Sequence, residues 1–165
     1  MPTPTPPKPA ILIILALVLL VPTAWAQIEE DLILETAQNV MTGINTGDEA
    51  LIRSAMLPGS ILVSTGNTDG VATTRVTTTE EFASGVGSLP ADYHERIFEY
   101  EIHIQKGVAV LWAQYDFHIN GTFSHCGVDT FTLVKSPEGW KVASLAYTVE
   151  QDGCKERPPI PENRP

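Results

Sequence analysis

The sequence predicts an α+β fold, with N-terminal helices packed on one face of a strongly curved, mainly antiparallel sheet. Three observations carry this. Apolar residues recur at three- and four-residue spacings from Ile33 to Ile44, they alternate with polar ones over long stretches from His94 to Glu150, and turn signals divide that second stretch into four. A chain of 165 residues has room for one such domain.

The first segment is expected to lie outside the fold. Ala10 to Val21 is an unbroken apolar run, shorter than the roughly 20 residues needed to span a bilayer. Lys8 precedes it, and Ala24-Trp25-Ala26 follows Pro22 with small residues at the two positions that a signal peptidase reads. Residues 1–26 therefore read as a secretory signal cut after Ala26, which places the protein outside the cell or in the periplasm, with no membrane contact after cleavage. Residues 27–154 form the domain. Residues 155–165 hold four prolines, five charged residues and one large apolar side chain, Ile160, and read as a disordered tail.

The elements follow in order. Ile33, Ala37, Val40, Met41 and Ile44 line one face of an amphipathic helix that starts near Ile28. Asn45-Thr46-Gly47-Asp48 ends it and caps a shorter helix holding Leu51, Ile52, Ala55 and Met56, which Pro58-Gly59 stops. Ser60–Thr65 and Val71–Val76 read as a hairpin around residues 66–70. Thr78-Thr79-Glu80-Glu81 has the spacing of a capping box and opens a third helix that fades at Gly85 and Gly87. Four long strands then turn at Lys106-Gly107, Asn120-Gly121 and Ser136–Gly139.

Register decides which side chains share a face. A two-residue turn at Lys106-Gly107 puts Phe98, Tyr100, Ile102 and Ile104 beside Ala109, Leu111, Ala113, Tyr115 and Phe117. At Asn120-Gly121 two registers are open. A two-residue turn would move Phe131 and Leu133 to the polar side. A three-residue turn ending at Thr122 sets Leu111 opposite Phe131 and Ala113 opposite Asp129, and is expected because it gathers the apolar residues on one concave side. The last hairpin adds Trp140, Val142, Ser144 and Ala146 to that side.

Two strings then carry a family resemblance. Thr42-Gly43-Ile44-Asn45-Thr46-Gly47-Asp48 resembles the turn that ends the first helix in nuclear transport factor 2-like proteins. Gly127 to Leu133 followed by Glu138-Gly139-Trp140-Lys141-Val142 resembles their final hairpin. The resemblance covers about residues 28–150. It implies a cone-shaped fold enclosing a deep pocket, with ketosteroid isomerase and the SnoaL-like cyclases among the relatives. Asp129 matches the place of the isomerase's oxyanion-hole aspartic acid. Val40 stands where that enzyme has its tyrosine, and its general base matches a position near Ser64, so the resemblance does not extend to that reaction.

On the expected register Asp129, His125, Tyr115, Tyr100 and Ser144 point into the concave side, with Leu111, Ala113, Phe117, Phe131 and Ala146 completing the lining. Burial disfavours the charge of a carboxyl and raises its pKa, so Asp129 could act as acid or base, with His125 as its partner and Tyr115 nearby. Two functions follow: a binding protein for a small apolar or aromatic molecule, or a cofactor-free SnoaL-like isomerase, cyclase, dehydratase or hydrolase. No cofactor is implied, and the four histidines lack metal-site spacing.

Twenty Asp plus Glu against ten Lys plus Arg give a net charge of -10, which disfavours nucleic acid as a partner. Cys126 and Cys154 are expected to pair, because an oxidising compartment favours a bridge and Asp152-Gly153 lets the chain bend back. Val110, Trp112, Val128, Leu145, Tyr147 and Val149 are expected on the outer face of the sheet, as the interface of a homodimer.

Overall fold

The computed structural model describes residues 10–88 and 92–155, with side chains from residue 26 onward apart from that of residue 68. The expected tail after Lys155, and the side chains of the expected signal segment, lie outside the described residues.

Helix α1 runs without a break over Ala10–Thr46, starting well before Ile28. Its inner face is the expected one: Ile33, Ala37, Val40, Met41 and Ile44 are all buried. Gly47, in the left-handed conformation, ends it, and the Leu51 N–H donates to Asp48 Oδ1 (2.9 Å) at the start of α2 (Glu49–Ala55). Helix α2 is over before Pro58-Gly59. Those two residues sit inside strand β1 (Met56–Thr68), where the ladder is interrupted between Met56 and Ile61. Strand β2 (Val71–Thr78) pairs with β1 up to Thr68, so the turn is Asp69-Gly70 alone, both with positive φ. Helix α3 (Thr79–Ser88) opens with the expected box: the Thr78 N–H donates to Glu81 Oε2 (2.9 Å), and the Glu81 N–H to Thr78 Oγ1 (3.2 Å).

Strands β3 (Tyr93–Gln105), β4 (Val108–Ile119), β5 (Thr122–Ser136) and β6 (Gly139–Val149) form an antiparallel meander. The sheet order is β2-β1-β6-β5-β4-β3, and β1 joins β6 in parallel. This six-stranded sheet curls around a core shared with the helices. Trp140 Nε1 ties the two layers by donating to Glu29 Oε2 on α1 (2.7 Å).

Three bulges decide the faces. In β3 the register shifts between Phe98 and Glu101, around Glu99 with its positive φ. Ile102 and Ile104 keep the expected partners, but Tyr93, Glu95 and Ile97 take the inner face. Phe98 lies across from Gln114 on the outer side, and Tyr100 is 48% exposed, which corrects the expectation that Tyr100 lines the concave side. In β5 the expected pairing of Leu111 with Phe131 and Ala113 with Asp129 holds, for a different reason. The turn is two residues, with Ile119 opposite Thr122, and a bulge at Ser124 supplies the one-residue shift.

In β6 a bulge around Ala143 moves Leu145 and Tyr147 to the inner face, opposite Phe131 and Asp129. Ser144 and Ala146 lie opposite Thr132 and Thr130, outside, so neither lines the cone and Leu145 and Tyr147 leave the expected outer patch. Cys126 and Cys154 form the expected disulfide, their Cα atoms 5.8 Å apart, behind the end of β5.

Candidate functional site

The open end of the cone holds a cavity of about 390 Å³, within the range of small-molecule sites. Asp129 on β5 is 1% exposed and sits between Ala113 on β4 and Tyr147 on β6. The walls come from Phe117 and Tyr115 on β4, His125 on β5, Leu145 and Tyr147 on β6, and Tyr93 on β3. Helix α3 contributes Phe82 and Val86, and β1 and β2 contribute Ser64, Thr77 and Arg75.

Glu95 was not foreseen. The bulge at Glu99 turns it inward, and Asn45, past the last buried turn of α1, pins its backbone on both sides. Asn45 Nδ2 donates to the Glu95 carbonyl (3.0 Å), and the Glu95 N–H donates to Asn45 Oδ1 (2.7 Å). The Glu95 carboxyl meets that of Asp129 on the cavity wall, close enough for a proton between them to form a hydrogen bond. No N–H or O–H of the described residues reaches Asp129 Oδ2, which is buried. Two carboxylates cannot bond one another without a proton, so the pair shares one. Burial is the main cause: it pushes Glu95 up to about 8, with Asp129 lowering it and the Asp116 charge raising it, and it lifts Asp129 well above the usual carboxylate range, where the Glu95 charge raises it further.

Tyr115 is fully committed. Its O–H donates to the Thr148 carbonyl (2.5 Å), and burial pushes its pKa far up. Gly127 makes this possible, because a Cβ there would stand 2.8 Å from the Tyr115 ring and 2.2 Å from the Thr148 carbonyl oxygen. His125 stacks on Phe117 with ring centroids 4.8 Å apart, and its Nδ1 meets Ser124 Oγ (3.0 Å). Burial lowers its pKa, so the imidazole is neutral at neutral pH. Its described hydrogen bond goes to Ser124, and the partner of Asp129 is Glu95 rather than His125. Burial raises the Tyr147 phenol above its ordinary value, while the nearby Ser64 side chain lowers it.

Of the other residues expected in the lining, Phe117 lies on the cavity wall. Leu111, Ala113 and Phe131 are completely buried in the core beneath it. Tyr100, Ser144 and Ala146 are elsewhere, as described above. Missed were Glu95, Leu145 and Tyr147, each placed by a bulge, and Arg75, which reaches the cavity from the edge hairpin. A pair of carboxyls with one proton can hold a polar atom of a ligand, and can give or take a proton near neutral pH.

No protein-family model and no curated protein matches the chain. Solved structures do. A nuclear transport factor 2-like protein from Cytophaga hutchinsonii is 15% identical, with a TM-score of 0.61 over 73% of this chain and 97% of its own. A nuclear transport factor 2-like protein with a cystatin-like fold from Novosphingobium aromaticivorans is 13% identical, with a TM-score of 0.61 over 82% and 90%. A superfamily member from Salmonella enterica is 14% identical, with a TM-score of 0.60 over 84% and 99%. With helices at the front, a curled sheet and these neighbours, the chain has the nuclear transport factor 2-like fold.

Proposed function

We propose that the protein binds a small, mostly apolar molecule in the cone and holds its polar end on Asp129 and Glu95. The observation that carries this is the cavity itself: its walls are mainly aromatic and aliphatic, and a carboxyl pair, Asp129 buried and Glu95 half-buried, stands at one point of it. Filling that space with side chains would have been the stabilising choice for a purely structural core. Native mass spectrometry of protein purified from its host tests the reading. A retained non-covalent mass is the expected result. No retained mass, together with no thermal shift from a panel of apolar small molecules, overturns it.

Glu95 favours a second reading. A lone carboxyl is a weak basis for catalysis, whereas two with one proton between them can serve as acid and base in turn. In this reading the protein is a cofactor-free SnoaL-like isomerase, cyclase, dehydratase or hydrolase, with Asp129 as the proton-transfer group. Asp129→Asn would then abolish turnover while ligand binding and melting temperature hold. The Cys126–Cys154 bridge fits work outside the reducing cytosol, in the periplasm or beyond the cell.

A further inference from the structure

Ser64, Thr77, Tyr93, Tyr147, His125 and Arg75 bring donors to parts of the cavity wall, but the carboxyl of Asp129 is left short of them. Asp129 Oδ2 is buried without a donor among the described residues, and the group its carboxyl meets is another carboxyl, that of Glu95. The Tyr115 O–H, which could have turned toward them, is used on the Thr148 carbonyl. Charge points the same way. The cationic side chain on the lining is Arg75, whose charge reaches Glu81 on α3 and Tyr147 on β6. No cation of the described residues pairs with Asp129 or Glu95.

We propose that the ligand is a small organic ammonium: an apolar body carrying a protonated primary or secondary amine whose N–H groups donate to Asp129 and Glu95. This rests on the binding reading above and names its ligand class. An ammonium supplies the donors and the positive charge that the pair lacks. The aromatic residues on the wall suit the apolar body and tolerate a neighbouring cation. The net charge of -10 draws cations toward the protein.

As the ammonium seats itself, the proton shared by the two carboxyls leaves to solvent, so one proton is released for each cation bound. The other groups around the pair do not take it up. Tyr115, Tyr147 and His125 face it from β4, β6 and β5, and burial holds both phenols and the imidazole neutral. Glu81 and Arg75 face the same cavity from α3 and β2, and Asp116 lies behind Glu95 in a bidentate pair with Arg96.

Isothermal titration of the whole protein with three isosteric probes tests this: 2-naphthylmethylamine, 2-naphthylmethanol and 2-naphthoic acid, each at neutral pH in two buffers of different ionisation heat. The amine is expected to bind at least about tenfold more tightly than the alcohol, with a heat that changes with the buffer as a proton is released. Glu95→Gln is expected to remove that preference, and its circular dichroism and melting transition show that the variant is folded. An alcohol that binds as tightly as the amine overturns the proposal, and so does an amine that releases no proton. Tightest binding by the acid overturns it too and points to Arg75. These three results leave the binding reading standing. If none of the probes binds, nor octylamine and 1-octanol, both readings fall.

Discussion

Replacing Glu95 by glutamine tests the shared proton through stability alone. In the unfolded chain a glutamate ionises near 4.5, whereas burial holds Glu95 at about 8 in the fold. Between those values the folded state carries the extra proton, so stability falls as pH rises and levels off above about 8. His125 acts in the other direction. Its folded pKa is lowered from 6.5, so stability rises with pH until the unfolded imidazole has lost its proton, about one unit above that value. Glu29 and Glu81 are lowered, so what they contribute is lost only in acid, below the carboxylate range. From 6.5 to about 8 the pair therefore dominates, opposed only by what remains of the His125 gain in the lower part of the window.

At about 1.4 kcal/mol per pH unit for one proton, the expected loss across that window is about 2 kcal/mol, or nearer 1 because Glu95 keeps some access to solvent through the cavity. Urea unfolding at the two ends of the window, with unchanged m-value, measures it. Glu95→Gln removes the shared proton and gives Asp129 an amide donor, so the slope should flatten and stability at the alkaline end should rise. A wild-type protein equally stable at both ends refutes the reasoning. So does a variant that keeps the full slope.

Breaking the 28-residue loop closed by Cys126 and Cys154, as the double alanine variant, is expected to cost about 3 kcal/mol in thermal or urea unfolding. N-terminal sequencing of the exported protein is expected to begin at Gln27. Glu29, two residues later, already bonds Trp140 and Lys135, so the cut would leave those contacts intact. The outer face of the sheet keeps Val110, Trp112 and Val128 partly exposed and is expected to pair with a second copy. Sedimentation should show a dimer that Trp112→Glu converts to monomer without unfolding.

Much of this fold was legible. The three-and-four spacing located the buried face of α1, the box at Thr78 located α3, and the turn signals separated the strands. What failed was the assumption of unbroken alternation. A bulge moves every later side chain of its strand to the other face, while hydrophobic pattern alone counts by twos. Two of the three bulges left a trace in the residue numbers. Inward apolar residues of β3 are odd at Tyr93 and Ile97 and even at Ile102 and Ile104. Those of β6 are even at Trp140 and Val142 and odd at Leu145 and Tyr147. Such a change of parity within one strand marks a bulge, and at β3 it would have exposed Glu95 as the partner of Asp129. The bulge at Ser124 was mistaken for a longer turn, because both shift the pairing by one. Arg75 carried no signal, since its place depends on where the edge hairpin lands against α3.

The parallel contact between β1 and β6 has a consequence for how the chain acquires its shape. The strands of the meander pair with their immediate successors, and each hairpin can close over a few residues. Strand β1 has no such neighbour on that side: Leu62 must find Leu145, across nearly the whole domain. Contacts between such distant parts of a chain are costly in loop entropy and form slowly. Strand β6 is the latest of the six strands to leave the ribosome, and it carries both the rail for β1 and the Tyr147 wall of the cavity. The pocket thus comes into being only after β6 has been made, and a chain cut short before Gly139 would have a meander but no vessel.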